Sequence, residues 1–179
     1  MKATHGYFAQ MSFSQETRTT AVAPGGPMTV DVFTEIVIER SVADVASYAG
    51  DPVNAPEWYD NIRSVEWETP PPVQIGSRVT FVAQFLGKRL AYTYEIVELV
   101  ADQRLVMRTS QGPFPMETTY TWGAASGNDA THMTLRNRGE PTGFSRISAP
   151  FMAIAMRRAN RHDLARLRSI LERAGPSPR

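Results

Sequence analysis

Residues 144–174 constrain the fold more than any other stretch, because they alone carry sustained helical periodicity. At about 100° per residue, Ala153, Met156, Leu164, Leu167 and Leu171 fall on one stripe, with Asn160 in its middle. That spacing is the signature of a helix laid on a core. Arg157, Arg161, Arg168 and Glu172 fall away from the stripe, as a solvated flank does. Ile147, Phe151 and Ile154 make a second apolar patch on the opposite side of the N-terminal half. Pro150 lies either in the first turn, where a missing N–H costs little, or at a kink. A helix of this kind needs a hydrophobic partner surface, and the rest of the chain reads mainly as strands and turns.

The first strand is predicted at 29–39, where Val32, Thr34, Ile36 and Ile38 alternate with Phe33, Glu35 and Glu39. Ser41 stands three residues before Asp44, resembling a capping box, and Val42, Val45, Ala46 and Ala49 give a short helix that Gly50 stops. Asp51-Pro52 starts a second short helix running to about Trp58. Six further strands follow at 62–68, 78–86, 90–99, 104–110, 116–123 and 131–139. They are separated by turn-like breaks, among them Pro70-Pro71-Pro72 with Gly76, and Leu86-Gly87-Lys88. Short loops imply antiparallel neighbours. Strands with helices segregated at the ends give an α+β fold: a curved antiparallel seven-stranded sheet around the long C-terminal helix, with two short helices between strands 1 and 2.

Residues 1–28 lack periodicity, are rich in Thr, Ser and Gly, and run through Pro24-Gly25-Gly26-Pro27, so they read as a mobile leader. The ordered pattern begins just after Met28, which makes that residue a candidate biological start. A single domain is expected over 29–174, with 175–179 as a tail. The absence of cysteine excludes disulfides and thiolate chemistry. No run approaches the roughly 20 apolar residues of a membrane span, and no signal peptide is recognisable. A cytoplasmic protein without stable membrane insertion is the expectation, either a monomer or a homodimer. The net charge of +1 hides an asymmetry, for eight arginines face two acids from Gly143 onward. Aromatics do not interleave with these arginines, so no nucleic-acid partner is expected. A membrane or protein interaction module using the basic helix is one alternative function.

The order of elements resembles the helix-grip fold of the SRPBCC (START-like) superfamily, and the local sequence resembles its polyketide cyclase/dehydrase branch. The residues that carry this are Ile36 to Ser41 leading into Val45, then Asp51 to Trp58, Gly76-Ser77-Arg78, and Asn160 to Leu164 with Leu167. The resemblance implies binding of a hydrophobic small molecule between sheet and long helix. In that superfamily some members are cyclases or hydrolases and many are carriers, so fold alone does not settle function.

Three histidines are present. His5 lies in the leader, His132 opens the last strand, and His162 is off the core stripe, so the last two are expected at the surface. No spacing of histidines and acids matches a metal motif, there is no G-x-S-x-G, and no glycine-rich phosphate loop follows a strand. No metal and no cofactor are therefore predicted. What remains are pocket-type residues. Strand parity groups Tyr92, Tyr94 and Ile96 on one face and Thr118, Tyr120 and Trp122 on another, with Phe81, Phe85, Met107 and Met133 as apolar walls. Met116 and Met156 extend an adaptable lining, and Trp58 and Asn160 complete the candidate ligand set. An amide in an apolar stripe must find a partner, in a strand, in the loop around Trp58, or in a ligand. Phe114, Phe144 and Phe151 are candidates for the rim of a portal.

A mostly apolar pocket with a few polar groups is the chemistry of small-molecule binding. Binding or carriage of a polyketide-like, aromatic or lipid-like molecule is the expected function. The enzyme alternative is a polyketide cyclase/dehydratase or aromatase, in which Tyr92, Tyr94, Tyr120 and Arg78 would be the residues to test. A cavity-facing tyrosine with a depressed pKa would favour that enzyme.

Overall fold

The first strand, β1 (Val30–Ile38), alternates buried and exposed side chains along most of its length, as a half-buried strand must. In the computed structural model, which describes residues 30–85, 88–112, 115–125, 129–139 and 149–174, it is one edge of a curved seven-stranded sheet. The other strands are β2 (Ile62–Trp67), β3 (Arg78–Phe85), β4 (Lys88–Val100), β5 (Arg104–Gln111), β6 (Met116–Ala124) and β7 (Thr131–Gly139). Their order is β1-β7-β6-β5-β4-β3-β2, and every neighbouring pair is antiparallel. This is the helix-grip architecture expected from the sequence, with strand boundaries within two residues of those predicted.

Since β1 and β2 are opposite edges, the chain between them has to cross the end of the sheet. It does so through α1 (Val42–Gly50), a 3-10 turn (Pro52–Asn54) and α2 (Ala55–Trp58). Ser41 caps α1 by accepting the Asp44 N–H at 3.2 Å, and the Asp51 carboxylate accepts the Val53 N–H at 3.0 Å with Pro52 just inside the turn. Sequence thus sets both helix starts, although the second predicted helix divides at Asn54 into a 3-10 turn and an α-helical turn.

The long helix α3 (Ala149–Arg173) has Pro150 in its first turn. Leu164, Leu167 and Leu171 are buried in the same cluster as Ile38, Ile96, Tyr120 and Met133. Arg157, Arg161, Arg168 and Glu172 face solvent, as does Ile154, which is 64% exposed. Polar ties hold the C-terminal half. Arg40 Nε donates to the Leu171 carbonyl at 2.8 Å, the Glu39 N–H to Glu172 Oε1 at 3.0 Å, and the Asp60 N–H to Asp163 Oδ1 at 3.0 Å. The first of these satisfies a carbonyl that the helix end would otherwise leave without a partner.

The outer face of the sheet carries exposed ion pairs, alongside the exposed apolar side chains of Phe33 and Val37 on β1. Arg136 grips Asp31 through two hydrogen bonds of 2.9 and 2.6 Å, and Arg108 pairs with Glu117 at 2.8 Å. Because these pairs are exposed, each contributes little to stability, and the core carries the fold. Leu167 is fully buried. Replacing it with Ala is expected to lower the unfolding free energy by about 2–5 kcal/mol, against within about 0.5 kcal/mol for exposed Arg168→Ala, as read by urea denaturation.

Candidate functional site

Antiparallel register places Val79 and Phe81 of β3 opposite Tyr94 and Tyr92 of β4, and Leu105 and Met107 of β5 opposite Tyr120 and Thr118 of β6. A register shift between Ile96 and Glu98 in β4 lets Leu99 pair with Leu105, so strict alternation does not hold through that strand. Trp122 and Tyr120 in turn face Met133 and Leu135 of β7. The result is one inner face lined by aromatic, aliphatic and methionine side chains, continuous with Trp58 from α2.

Within this face lies a cavity of about 10 Å³, on the scale of one water molecule. Its wall combines Trp58, Phe81, Met107 and Tyr120 with the small residues Ala49, Gly50 and Ala55. The cavity is therefore roofed by α1, the 3-10 turn and α2. α3 contributes no residue to the lining of this cavity. The connection between the two edge strands lays these short, small-residue helices over this end of the sheet.

Trp58, Phe81, Tyr94, Met107, Tyr120 and Met133 are buried together, and Tyr92 and Met116 are partly buried against them. Met156 is half-buried and Asn160 is buried on α3. Phe85 closes β3, and Phe151 belongs to α3; their side chains are not among those described. Phe114 and Phe144, the other rim candidates, lie outside the described residues, as do residues 1–28. Arg78, named with the tyrosines for the cyclase alternative, stands on the outer face beside Glu68 at 3.9 Å and does not line the cavity. His132 lies 3.1 Å from Glu35 on the outer face, and His162 is exposed.

The polar groups of the interior are specific in kind. The hydroxyls of Tyr59 and Tyr120 are 2.7 Å apart. The Trp58 ring stacks on Tyr59 at 3.9 Å and lies 6.1 Å from Tyr120. Burial holds both phenols well above the ordinary tyrosine range, and it pushes Tyr94 up to about 12. Tyr94 reaches the Met116 sulfur at 3.8 Å, and Thr118 donates to Asn137 Oδ1 at 2.8 Å. These tyrosines are neutral hydrogen-bonding groups, not phenolate bases. Trp58 Nε1, Trp122 Nε1 and Asn160 Nδ2 are buried without a hydrogen-bond partner.

Tyr59 and Asn137 are the residues that sequence reasoning passed over, and Asp163 entered it only as part of the helix motif that carries the family resemblance. Tyr59 sits in a short junction without periodicity, and its partner is 61 residues away. Asn137 was accessible by continuing the parity of Met133 and Leu135. Asp163 follows Asn160 by three residues and belongs to the buried side of α3. Among the described residues no group of three His, Cys, Asp or Glu is placed to hold a metal ion. Nor is any helix among them long and apolar enough to cross a membrane.

A long helix gripped by a curved antiparallel sheet, with an aromatic inner face, defines a START-like helix-grip protein. Residues 29–172 match the family described as polyketide cyclase / dehydrase and lipid transport, and the chain belongs to that family. Among solved structures, a protein from Thermus thermophilus is similar with TM-score 0.70 and 19% identity, covering 81% of this chain and 99% of that one. A START superfamily protein from Mycobacterium smegmatis has TM-score 0.69 and 14% identity over 80% and 98% of the two chains. The Zhui aromatase/cyclase from Streptomyces sp. R1128 has TM-score 0.67 and 15% identity over 84% and 100%. At such identities the likeness is one of fold. No curated protein sequence matches the chain.

Asp163 gives the site a pH signature. Burial pushes its carboxyl from 3.8 up to about 6; Asp60 adds to the rise, while the bond from the Asp60 N–H and the charges of His162 and Arg166 oppose it. The folded state thus binds a proton more tightly than the unfolded state. The stability associated with that proton is fully present below about pH 4 and is lost as pH rises through about 6. Asp163→Asn keeps an acceptor oxygen for the Asp60 N–H and removes the titration. Urea denaturation between pH 4 and 7 is expected to show wild type losing stability relative to Asp163→Asn as pH rises, with the difference levelling above about pH 6.

Proposed function

We propose that this protein binds and carries a hydrophobic small molecule, polyketide-like, aromatic or lipid-like, between the sheet and the helices that close it. The observation that carries this reading is the cavity, whose aromatic and methionine wall is backed by alanine and glycine on the roofing helices. A ligand site is typically about 300–1,000 Å³, so loading a ligand has to displace side chains. Met107 in the wall and Met116 and Met133 on the same inner face are the ones best suited to move, having several soft torsions each. The protonated state of Tyr59, Tyr94 and Tyr120 supports holding a ligand over deprotonating it.

Cyclase or dehydratase activity is a second reading, favoured by Asp163. Its carboxyl exchanges protons near neutrality and is electrostatically coupled to Tyr59 and Tyr120. The Zhui aromatase/cyclase shares the fold. On that reading, proximity and orientation of a folded polyketone would supply much of the rate.

Native mass spectrometry of freshly purified protein, followed by organic extraction, is expected to find one hydrophobic molecule per chain. An unloaded mass together with no saturable binding of anilinonaphthalene sulfonate would remove the ligand reading. If a polyketone is instead converted by the wild type, and Asp163→Asn binds it without converting it, the enzyme reading prevails.

A further inference from the structure

The interior has a directional chemistry beyond its apolar character. An indole N–H donates and cannot accept, and Trp58, 1% exposed, has its Nε1–H without a partner in the cavity-lining set. The Tyr59 and Tyr120 hydroxyls hold two hydrogens but share one hydrogen bond. When Tyr59 is the donor, the hydrogen of Tyr120, which lines the cavity, remains for a further acceptor. Trp58 and Tyr120 both line the cavity, with the Tyr59 ring stacked directly on Trp58. Trp122 Nε1 and Asn160 Nδ2 repeat the same imbalance elsewhere in the core, and both are donors. A buried donor left unpaired costs about 1–3 kcal/mol. The side chains that line the cavity include no carboxylate, amide or imidazole that would supply an acceptor.

We infer that the Trp58–Tyr59–Tyr120 corner is a polar subsite for an oxygen acceptor, a ketone, quinone or lactone carbonyl, at the leading end of an otherwise apolar ligand. This rests on the ligand-binding reading above and narrows it. The space available, about 10 Å³, is on the scale of a single oxygen-sized group. A carbonyl presents two lone pairs, so it can take the Trp58 N–H and the spare tyrosine hydrogen together. A hydrocarbon of the same shape would leave both unpaired.

The test is a shape-matched pair of probes, acetylnaphthalene and isopropenylnaphthalene, which differ by exchange of C=O for C=CH2. Calorimetric titration of the full chain is expected to show the ketone binding about tenfold more tightly, the equivalent of about one net hydrogen bond. Trp58→Phe, which keeps a ring and removes the N–H, is expected to bring the ratio of ketone to alkene affinity close to one, whatever it does to the two affinities in common. In the wild type, the Trp58 Nε1–H resonance is expected to move downfield with the ketone and not with the alkene. That spectrum keeps the proposal testable should the variant fail to fold. Equal affinities with no displacement of the Trp58 resonance would overturn the acceptor subsite and leave the ligand reading standing. If neither probe binds while anilinonaphthalene sulfonate saturates, the subsite falls alone. If none of the three binds, the ligand reading falls with it.

Discussion

The structure depends on how α3 is held across an open curved sheet. A helix stripe of three leucines buries well, but apolar contact is non-directional and does not fix the helix along its own axis. The polar ties do. Arg40 fastens the Leu171 carbonyl, the Glu39 amide fastens Glu172, and the Asp60 amide fastens Asp163, so both connections flanking the short helices are locked to one helix. Among the described residues these ties lie from Asp163 onward. Arg166, 3.9 Å from Asp60, belongs to the same half. A displacement of the N-terminal half of α3 would therefore break none of them, and the grip is asymmetric along its length.

That asymmetry places the demands on the other closure. The chain from β1 to β2 must span the sheet from edge to edge, and it does so with helices too short to bury a broad face of their own. Ala49, Gly50 and Ala55 bring their backbones near the aromatic floor without filling it. Trp58 makes up the volume as a single large side chain at the end of α2. It docks against Tyr59 and Tyr120. One ring therefore couples the short-helix roof to β6, and the cost of its unpaired N–H is accepted where an aliphatic side chain would have had none.

Much of the fold was legible because its signals are local. Period-2 alternation marked the strands, Ser41 and Asp51 marked the helix starts, and the Leu164, Leu167 and Leu171 stripe marked the buried side of α3. The resemblance to a helix-grip family supplied the arrangement that periodicity leaves open, and the family match over residues 29–172 agrees with it. The interior was less legible where spatial pairing decides it. The β4 shift between Ile96 and Glu98 redirects Leu99, which no alternation pattern reveals. Tyr59 acquires its role from a hydroxyl on β6, and Arg78 loses its candidacy because parity turns it outward beside Glu68. The cavity lies under the short helices because the connection between β1 and β2 is forced across that end, a consequence of strand order that no single segment encodes.

A carrier and a cyclase could share this wall, since both need an apolar surface that orients a folded ligand. What separates them is a proton acceptor within reach of it. The tyrosines do not qualify, because burial keeps them protonated at neutral pH. Asp163 has a suitable proton affinity, but its Oδ1 already accepts the Asp60 amide, and that bond is one of the ties positioning α3. Drawing Asp163 into proton transfer would change its charge at the joint that holds the helix. Catalysis and grip would then be coupled through one carboxylate, whereas carriage makes no such demand and leaves the tie intact throughout loading and release.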